Sequence, residues 1–367
     1  MAKADREVIG GVDTHADVHC VAVLDGAGRL LGVREFDSDQ AGCEALLGWL
    51  RRHGRLSAVG VEGCGSYGAG LMRLLNERGV RVLEVDRPNR QNRRRRGKSD
   101  PLDAEAAARA VLAGVADGTP KTRDGYVESI RALRVARGGA VKARTAALNT
   151  LVSLARTAPE PLAGQLRGLS ARRIVTAAAR FRLPAAADPA GRAAQLADPG
   201  HATKVALRRL AQRVQSLDGE IRAADQDLQA LLITNAADLL ARHGVGIDTA
   251  GQLLVTAGDN PQRLADDAAF AALTGVSPLP ASSGRTDRHR LNRGGDRAAN
   301  RALFSIVLSR MATHQPTKDY VEKRTKDGLS KREIIRCLKR YVARELFPLI
   351  VAATSPPNPQ ATLATAA

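Results

Sequence analysis

The chain has 367 residues, 44% of them hydrophobic, enough to build cores for two or three domains, and 56 Lys and Arg against 38 Asp and Glu give a formal net charge of +18. That imbalance points to a polyanion, nucleic acid before an anionic membrane, because no apolar run reaches the roughly 18 residues of a spanning helix and "MAKADREV" has no signal-peptide core. The four cysteines, Cys20, Cys43, Cys64 and Cys337, form no CxxC pair, which argues for reduced thiols in a cytoplasm rather than a zinc site or a disulfide frame.

"EVIGGVD", "VHCVAVLD" and "RLLGVREF" have the composition of strands, and Gly26-Ala27-Gly28 suits the second hairpin turn. Next come a helical period over "DQAGCEALLGWLRRHG", a strand "LSAVGVEG", a helix "SYGAGLMRLLNERG", a strand "VRVLEVD" and a helix "DPLDAEAAARAVLAG". The order β-β-β-α-β-α-β-α predicts an α/β domain over residues 1–115, a mixed sheet covered by helices, with carboxylates from strand ends meeting at one edge.

Asp13 ends an apolar run, where a carboxylate is costly without a positive partner. Glu62 ends a later strand, and Asp100 and Asp103 share one helix face at i and i+3. Four such acids suit phosphoryl transfer with two divalent cations, because hard ions take oxygen ligands and clamp both the attacking and the leaving oxygen; a Mg²⁺ pair is the expected cofactor. Each residue also has a plainer explanation. Asp100-Pro101-Leu102-Asp103 reads as an ordinary helix start with Asp as N-cap, and Asp13 and Glu62 read as turn residues.

Between the last strand and that helix, Arg87, Arg90, Arg93, Arg94, Arg95, Arg96 and Lys98 form a strip for phosphates, or a solvated charged loop. His15 and His19 have no metal-pair spacing and are taken as surface residues or outer partners of a site. No GxxxxGK[ST] exists, so ATP is not implied, and 3% aromatics leave few base-stacking platforms.

Residues 116–235 are Ala- and Arg-rich and helical, broken at "TAPEPLAG" and "LPAAADPAG". Leu207, Leu210, Val214, Leu217, Ile221, Ala224, Leu228 and Leu231 alternate three and four apart, a coiled-coil pattern that predicts self-association, an intramolecular hairpin, or both. Residues 236–350 form a third, mainly helical domain. It opens with Gly244-Val245-Gly246 between two short helices, spaced like a helix-hairpin-helix. "PASSG" reads on spacing alone as a Ser/Gly loop. In "SKREIIRCLKRYVARELFPLI", Ile334, Ile335, Leu338 and Val342 make an apolar stripe, and Lys331, Arg332, Arg336, Lys339 and Arg340 a phosphate-facing side. The Pro-, Ala- and Thr-rich tail, 351–367, is expected to be disordered.

"GVDTHAD", "VGVEGCGSYG" and "RRRGKSDPLDAEAAARA" resemble the RuvC-like DEDD domain of the IS-one-ten family of insertion-sequence transposases, bridge-RNA-guided serine recombinases. "TGVSPLPASSGRTDRHRLNRGGDRAANRALF" resembles that family's C-terminal transposase domain. The likeness runs over roughly 7–115 and 238–347. It implies an RNase H-like fold, Asp13, Glu62, Asp100 and Asp103 as the metal-binding acids, and a serine nucleophile before a glycine. That serine is Ser283, with Ser282 one position away; Arg285, Arg288, Arg290 and Arg293 surround it. The resemblance further implies DNA partners at element ends and target, a noncoding guide RNA, a homo-oligomer (dimer or tetramer), no membrane, and a bacterial cytoplasm with nucleoid association. The competing expectations are a junction resolvase or hydrolytic nuclease in which the acids activate water, and a basic nucleic-acid-binding protein whose acids are structural.

Overall fold

A computed structural model of the chain describes residues 6–85, 99–116, 118–282, 284 and 289–355. The predicted element order holds in the first part: β1 (Glu7–Thr14), β2 (Val18–Asp25), β3 (Leu30–Asp37), α1 (Gln40–Arg51), β4 (Arg55–Glu62), α2 (Ala69–Glu77), β5 (Val82–Val85) and α3 (Asp100–Leu112). The five strands lie in the order β3-β2-β1-β4-β5. The β1–β2 and β2–β3 pairs are antiparallel, while β1–β4 and β4–β5 are parallel.

Alternation along the strands sends Val8, Val12, Val21, Val23, Val59 and Val61 to one face, where α1 and α2 cover them with Leu46, Leu50, Leu71, Met72 and Leu75. The other face takes α3, whose small residues Ala104 and Ala108 pack on Cys20, Ala22, Ile9 and Leu24. Two glycines make this approach possible. A Cβ on Gly11 would stand 2.2 Å from the Ala104 carbonyl oxygen, and one on Gly60 would stand 2.6 Å from Val111 Cγ2. Gly11→Ala should therefore push α3 off the sheet and cost about 1–3 kcal/mol or more, read as a lowered urea midpoint. Gly70, in α2 with open space around it, should gain about 0.5–1 kcal/mol as Ala; equal responses at the two sites would contradict the packing argument.

The chain divides into two compact units, one of residues 1–128 with 253–367, the other 129–252. Helix α4 (Tyr126–Arg156) contains the first cut and α10 (Ile247–Ala257) the second.

In the first unit a segment after α3 ties the early residues to the late ones. Gly118 O accepts from Glu84 N, the Asn260 side-chain amide donates to Pro120 O, Lys121 Nζ donates to Val255 O at 2.6 Å, and Asp259 Oδ1 accepts from Val127 N. Burial and the Arg263 charge push the Lys121 ammonium down to about 8. The late residues supply α11 (Asp267–Leu273), the two-residue strands β6 (Leu279–Pro280) and β7 (His289–Arg290), α12 (Arg297–Thr313), α13 (Gln315–Lys326) and α14 (Lys331–Thr354). Phe270, Leu303, Ile306, Ile334, Leu338, Val342 and Leu346 are buried, and Arg310 makes a two-pronged ion pair with Glu345 at 2.6 and 3.0 Å.

The second unit contains most of α4 with α5 (Leu162–Leu166), α6 (Ala171–Ala179), α7 (Pro189–Ala197), α8 (Pro199–Asn235) and α9 (Ala237–Leu240). Ala147, Leu151 and Ala155 of α4 share a core with Leu207, Ala211 and Val214 of α8 and with Ile174, Val175 and Ala178 of α6. Arg137–Asp225 and Arg144–Asp218 pairs run up the two long helices in antiparallel register. The apolar stripe of α8 thus has a partner within its own chain. Among the described residues no helix is long and apolar enough to cross a membrane.

Candidate active site

The site is built from the carboxyl ends of two parallel strands. Asp13 and Glu62 are register partners on β1 and β4, so their side chains leave the sheet on the same face, the one that α3 covers. Thr14 Oγ1 donates to Glu62 O at 2.8 Å and locks the two strand ends together. Gly63 follows with φ +78°, a conformation that turns the chain away at once; a Cβ there would lie 2.7 Å from Thr14 Oγ1.

Helix α3 supplies the other acids. Ser99, not Asp100, is its N-cap residue, so Asp100 stands at the first helical position and its carboxylate is turned to other use than capping. Asp100 Oδ1 lies 3.4 Å from His15 Nε2, and the same nitrogen lies 3.2 Å from Asp13 Oδ2. Asp13, His15 and Asp100 each offer one ligand atom within 4.8 Å of the others. Asp13 and Asp103 are buried; Glu62 and Asp100 are half-buried.

Burial raises the Asp13 carboxyl above its ordinary range, with Asp103 and Asp100 adding to the rise and His15 partly opposing it. Such a group is held against its preference for charge, and a bound cation reverses that balance. The donor set, carboxylate oxygens with one imidazole, fits a divalent ion. His15, expected as a surface residue or an outer partner of a site, stands between Asp13 and Asp100, and its place two residues after Asp13 at the end of a strand is the signal for it.

His19 is different. It is fully buried on the opposite face from Asp13, beside Thr14, and neither ring nitrogen has a hydrogen-bond partner among the described residues. Burial, with His15 adding to it, holds its imidazole below the ordinary value of 6.5. Because the unfolded chain takes the proton first, the neutral ring's contribution is fully present above 6.5 and is lost as pH falls through the lower folded value. The urea midpoint should drop on acidification, and His19→Leu should flatten that drop; parallel pH profiles would count against it.

Arg87, Arg90, Arg93, Arg94, Arg95, Arg96 and Lys98 lie outside the described residues, as do Ser283, Arg285, Arg288 and most of the tail. Around the serine segment, β6 and β7 pair as a short ribbon with Ser282 and Gly284 exposed in the connection. Between this ribbon and α14 is a cavity of about 720 Å³, whose lining includes Ser277, Arg290, Asn292, Arg336 and Lys339. Arg293, Lys331 and Arg332 are exposed nearby in sequence.

Lys339 corrects the reading of α14. It is buried, not phosphate-facing, and its Nζ donates to Asn300 Oδ1 at 2.8 Å, while burial and Arg336 push its ammonium down. Arg340 is likewise spent on Asp267 at 2.7 Å. Gly244-Val245-Gly246 connects α9 and α10 as expected, but the Gly246 amide is already bonded to Thr249 Oγ1 at 3.0 Å.

A DEDD-type family model of IS110 elements, described as a transposase, matches residues 10–158, and a second, described as transposase of the IS116/IS110/IS902 family, matches 236–322. The "Insertion element IS110 uncharacterized 43.6 kDa protein" of Streptomyces coelicolor is 29% identical over 157 residues, a stretch covering 41% of this chain and 38% of that relative. With both family models matched in order along it, the chain belongs to the IS110 family of transposases.

Proposed function

We propose that this chain is a DNA transposase and site-specific recombinase, in which Asp13, Glu62, Asp100 and Asp103 hold a pair of Mg²⁺ ions and Ser283 attacks the phosphodiester. The observation that supports this most is the meeting of Asp13, His15 and Asp100 at the carboxyl end of the central strand β1, with Asp13 buried against like charge. A bound divalent cation supplies charge neutralisation for the phosphate oxygens. His15 Nε2 spans the Asp13 and Asp100 carboxylates and partly opposes the rise of the Asp13 carboxyl.

Ser283 Oγ loses its proton and bonds to phosphorus, the bond from phosphorus to the leaving strand breaks, and that strand departs with a protonated hydroxyl. A hydroxyl of a second strand then attacks the phosphoserine, joins the new strand and returns the proton to serine. Ester energy is conserved in the covalent intermediate. Arg285, Arg288, Arg290, Arg293 and Arg336 supply cations for the developing charge, and Lys331 and Arg332 hold flanking phosphates. The guide RNA, the homo-oligomer and a cytoplasmic, nucleoid-associated setting complete the proposal.

The test mixes purified protein with element-end DNA, target DNA and the flanking noncoding transcript, with Mg²⁺ or with chelator, and scores recombinant junctions. Junctions that need both Mg²⁺ and transcript support the reading. Metal-dependent cutting without junctions favours the hydrolytic nuclease, and binding without cutting favours a non-catalytic binder.

A further inference from the structure

The second unit carries a surface that the proposed chemistry does not use. From Ser170 to Arg213 the chain holds nine Lys and Arg and two Asp. Both acids are occupied as helix N-caps, Asp188 accepting from Gly191 N at 2.7 Å and Asp198 from His201 N at 2.6 Å. Helix α6 sorts its residues cleanly. Ile174, Val175 and Ala178 are buried in the core with α8, and Arg172, Arg173, Thr176 and Arg180 line a shallow groove on the far side. The geometry of a 3.6-residue turn puts these two sets on opposite sides of the helix. Among the described residues none of these arginines has an acidic partner, nor do Arg209 and Arg213 on α8. Lower in the same unit the pattern is reversed, and Arg134, Arg137 and Arg144 are neutralised by Asp248, Asp225 and Asp218.

We propose that the outer face of α6 is a docking surface for the phosphate backbone of duplex DNA. Arginine forks match phosphate oxygens, and Arg172 to Arg180 extend about 12 Å along the helix, a length along which a duplex presents several phosphates. Ser170 and Thr176 are hydroxyl residues on the same groove, which offers no Asn, Gln or aromatic side chain, and the proposed contacts go to phosphates, which carry no sequence information. A second copy of the chain is a poor occupant, because it brings the same formal net charge of +18, and Asp218, Asp225 and Asp248 of this unit are already paired with arginines of their own chain. A membrane is a poor one too, since Ala177 is the groove's one apolar side chain.

The test uses the full chain with the triple variant Arg172→Gln, Arg173→Gln, Arg180→Gln at exposed positions where Gln keeps helix propensity. A charge-matched control replaces Arg29, Arg52 and Arg73 with Gln. Binding to a random-sequence DNA duplex is measured against salt. The α6 variant should give a slope shallower by about 2 to 3, about 0.9 for each phosphate left without its cation, and the matching Arg→Lys variant should keep most of the slope. An unchanged slope in the α6 variant overturns the proposal, as does an equal loss in the control, which would mean that net charge alone is felt. A loss confined to duplex RNA, or to anionic phosphatidylserine vesicles, overturns it as well. These readouts involve no cleavage, so they stand whether or not the chain recombines DNA.

Discussion

Asp13→Asn should abolish strand transfer, by about a thousandfold or more, in a chain that stays folded. Asp13 is the most enclosed contributor to the group of three ligand atoms, and its carboxyl is pushed up by burial and by Asp103 and Asp100. Asparagine keeps the shape and removes the charge. Without a cation present, the fold loses a repulsion, so the urea midpoint should hold or rise; with Mg²⁺ present, the wild type should be stabilised and the variant should not. Several kcal/mol of transition-state charge stabilisation is at stake, and each 1.36 kcal/mol is about tenfold in rate, hence the expected size of the loss. Asp100→Ala separates metal binding from helix capping. A capping role would cost about 1 kcal/mol of stability and leave activity in place. Since Ser99 occupies the cap, the expected result is the reverse: lost activity with little change in stability. Full recombination by Asp13→Asn would remove the acid site from the mechanism.

Ser283→Ala should eliminate both the covalent protein–DNA adduct and recombination while DNA binding persists, because no neighbouring atom replaces the attacking oxygen. Ser283→Cys should also lose most activity, since a thiol suits softer partners than a phosphate held by hard cations. Ser282 stands next to it on the same connection between β6 and β7. Recombination by Ser283→Ala together with its loss in Ser282→Ala would move the nucleophile by one residue and leave the mechanism intact. Metal-dependent cutting by both variants with no adduct would make water the nucleophile.

The element order of the first part is legible because each strand and helix there has an undisturbed period, and the acids at the ends of β1 and β4 announce themselves by interrupting apolar runs. What local pattern does not encode is which face α3 covers. That depends on Gly11 and Gly60, two ordinary strand glycines until Ala104 and Val111 are seen against them. The joining of residues 118–127 to 255–263 is hidden for a similar reason: it rests on the side chains of Asn260 and Asp259 meeting backbone well over a hundred residues away, with no periodic signature. Lys339 carries a visible clue against a phosphate-facing role. It sits four after Ile335 and three before Val342, on the apolar stripe itself, and Asn300 satisfies it there. His15 reads in the sequence as a surface residue or an outer partner of a site, and its partners are the acids at 13 and 100.

In the proposed reaction the acids at the carboxyl end of the sheet and Ser283 act on one phosphodiester. This reaction is tested most directly by incubating end-labelled element DNA and transcript with wild type, Asp13→Asn and Ser283→Ala in Mg²⁺, then separating the products under denaturing conditions. The reaction predicts a slow-migrating, protease-sensitive labelled band with wild type alone, lost on chelation. An adduct formed equally by Asp13→Asn, or cleaved DNA without any adduct in the wild type, would contradict it.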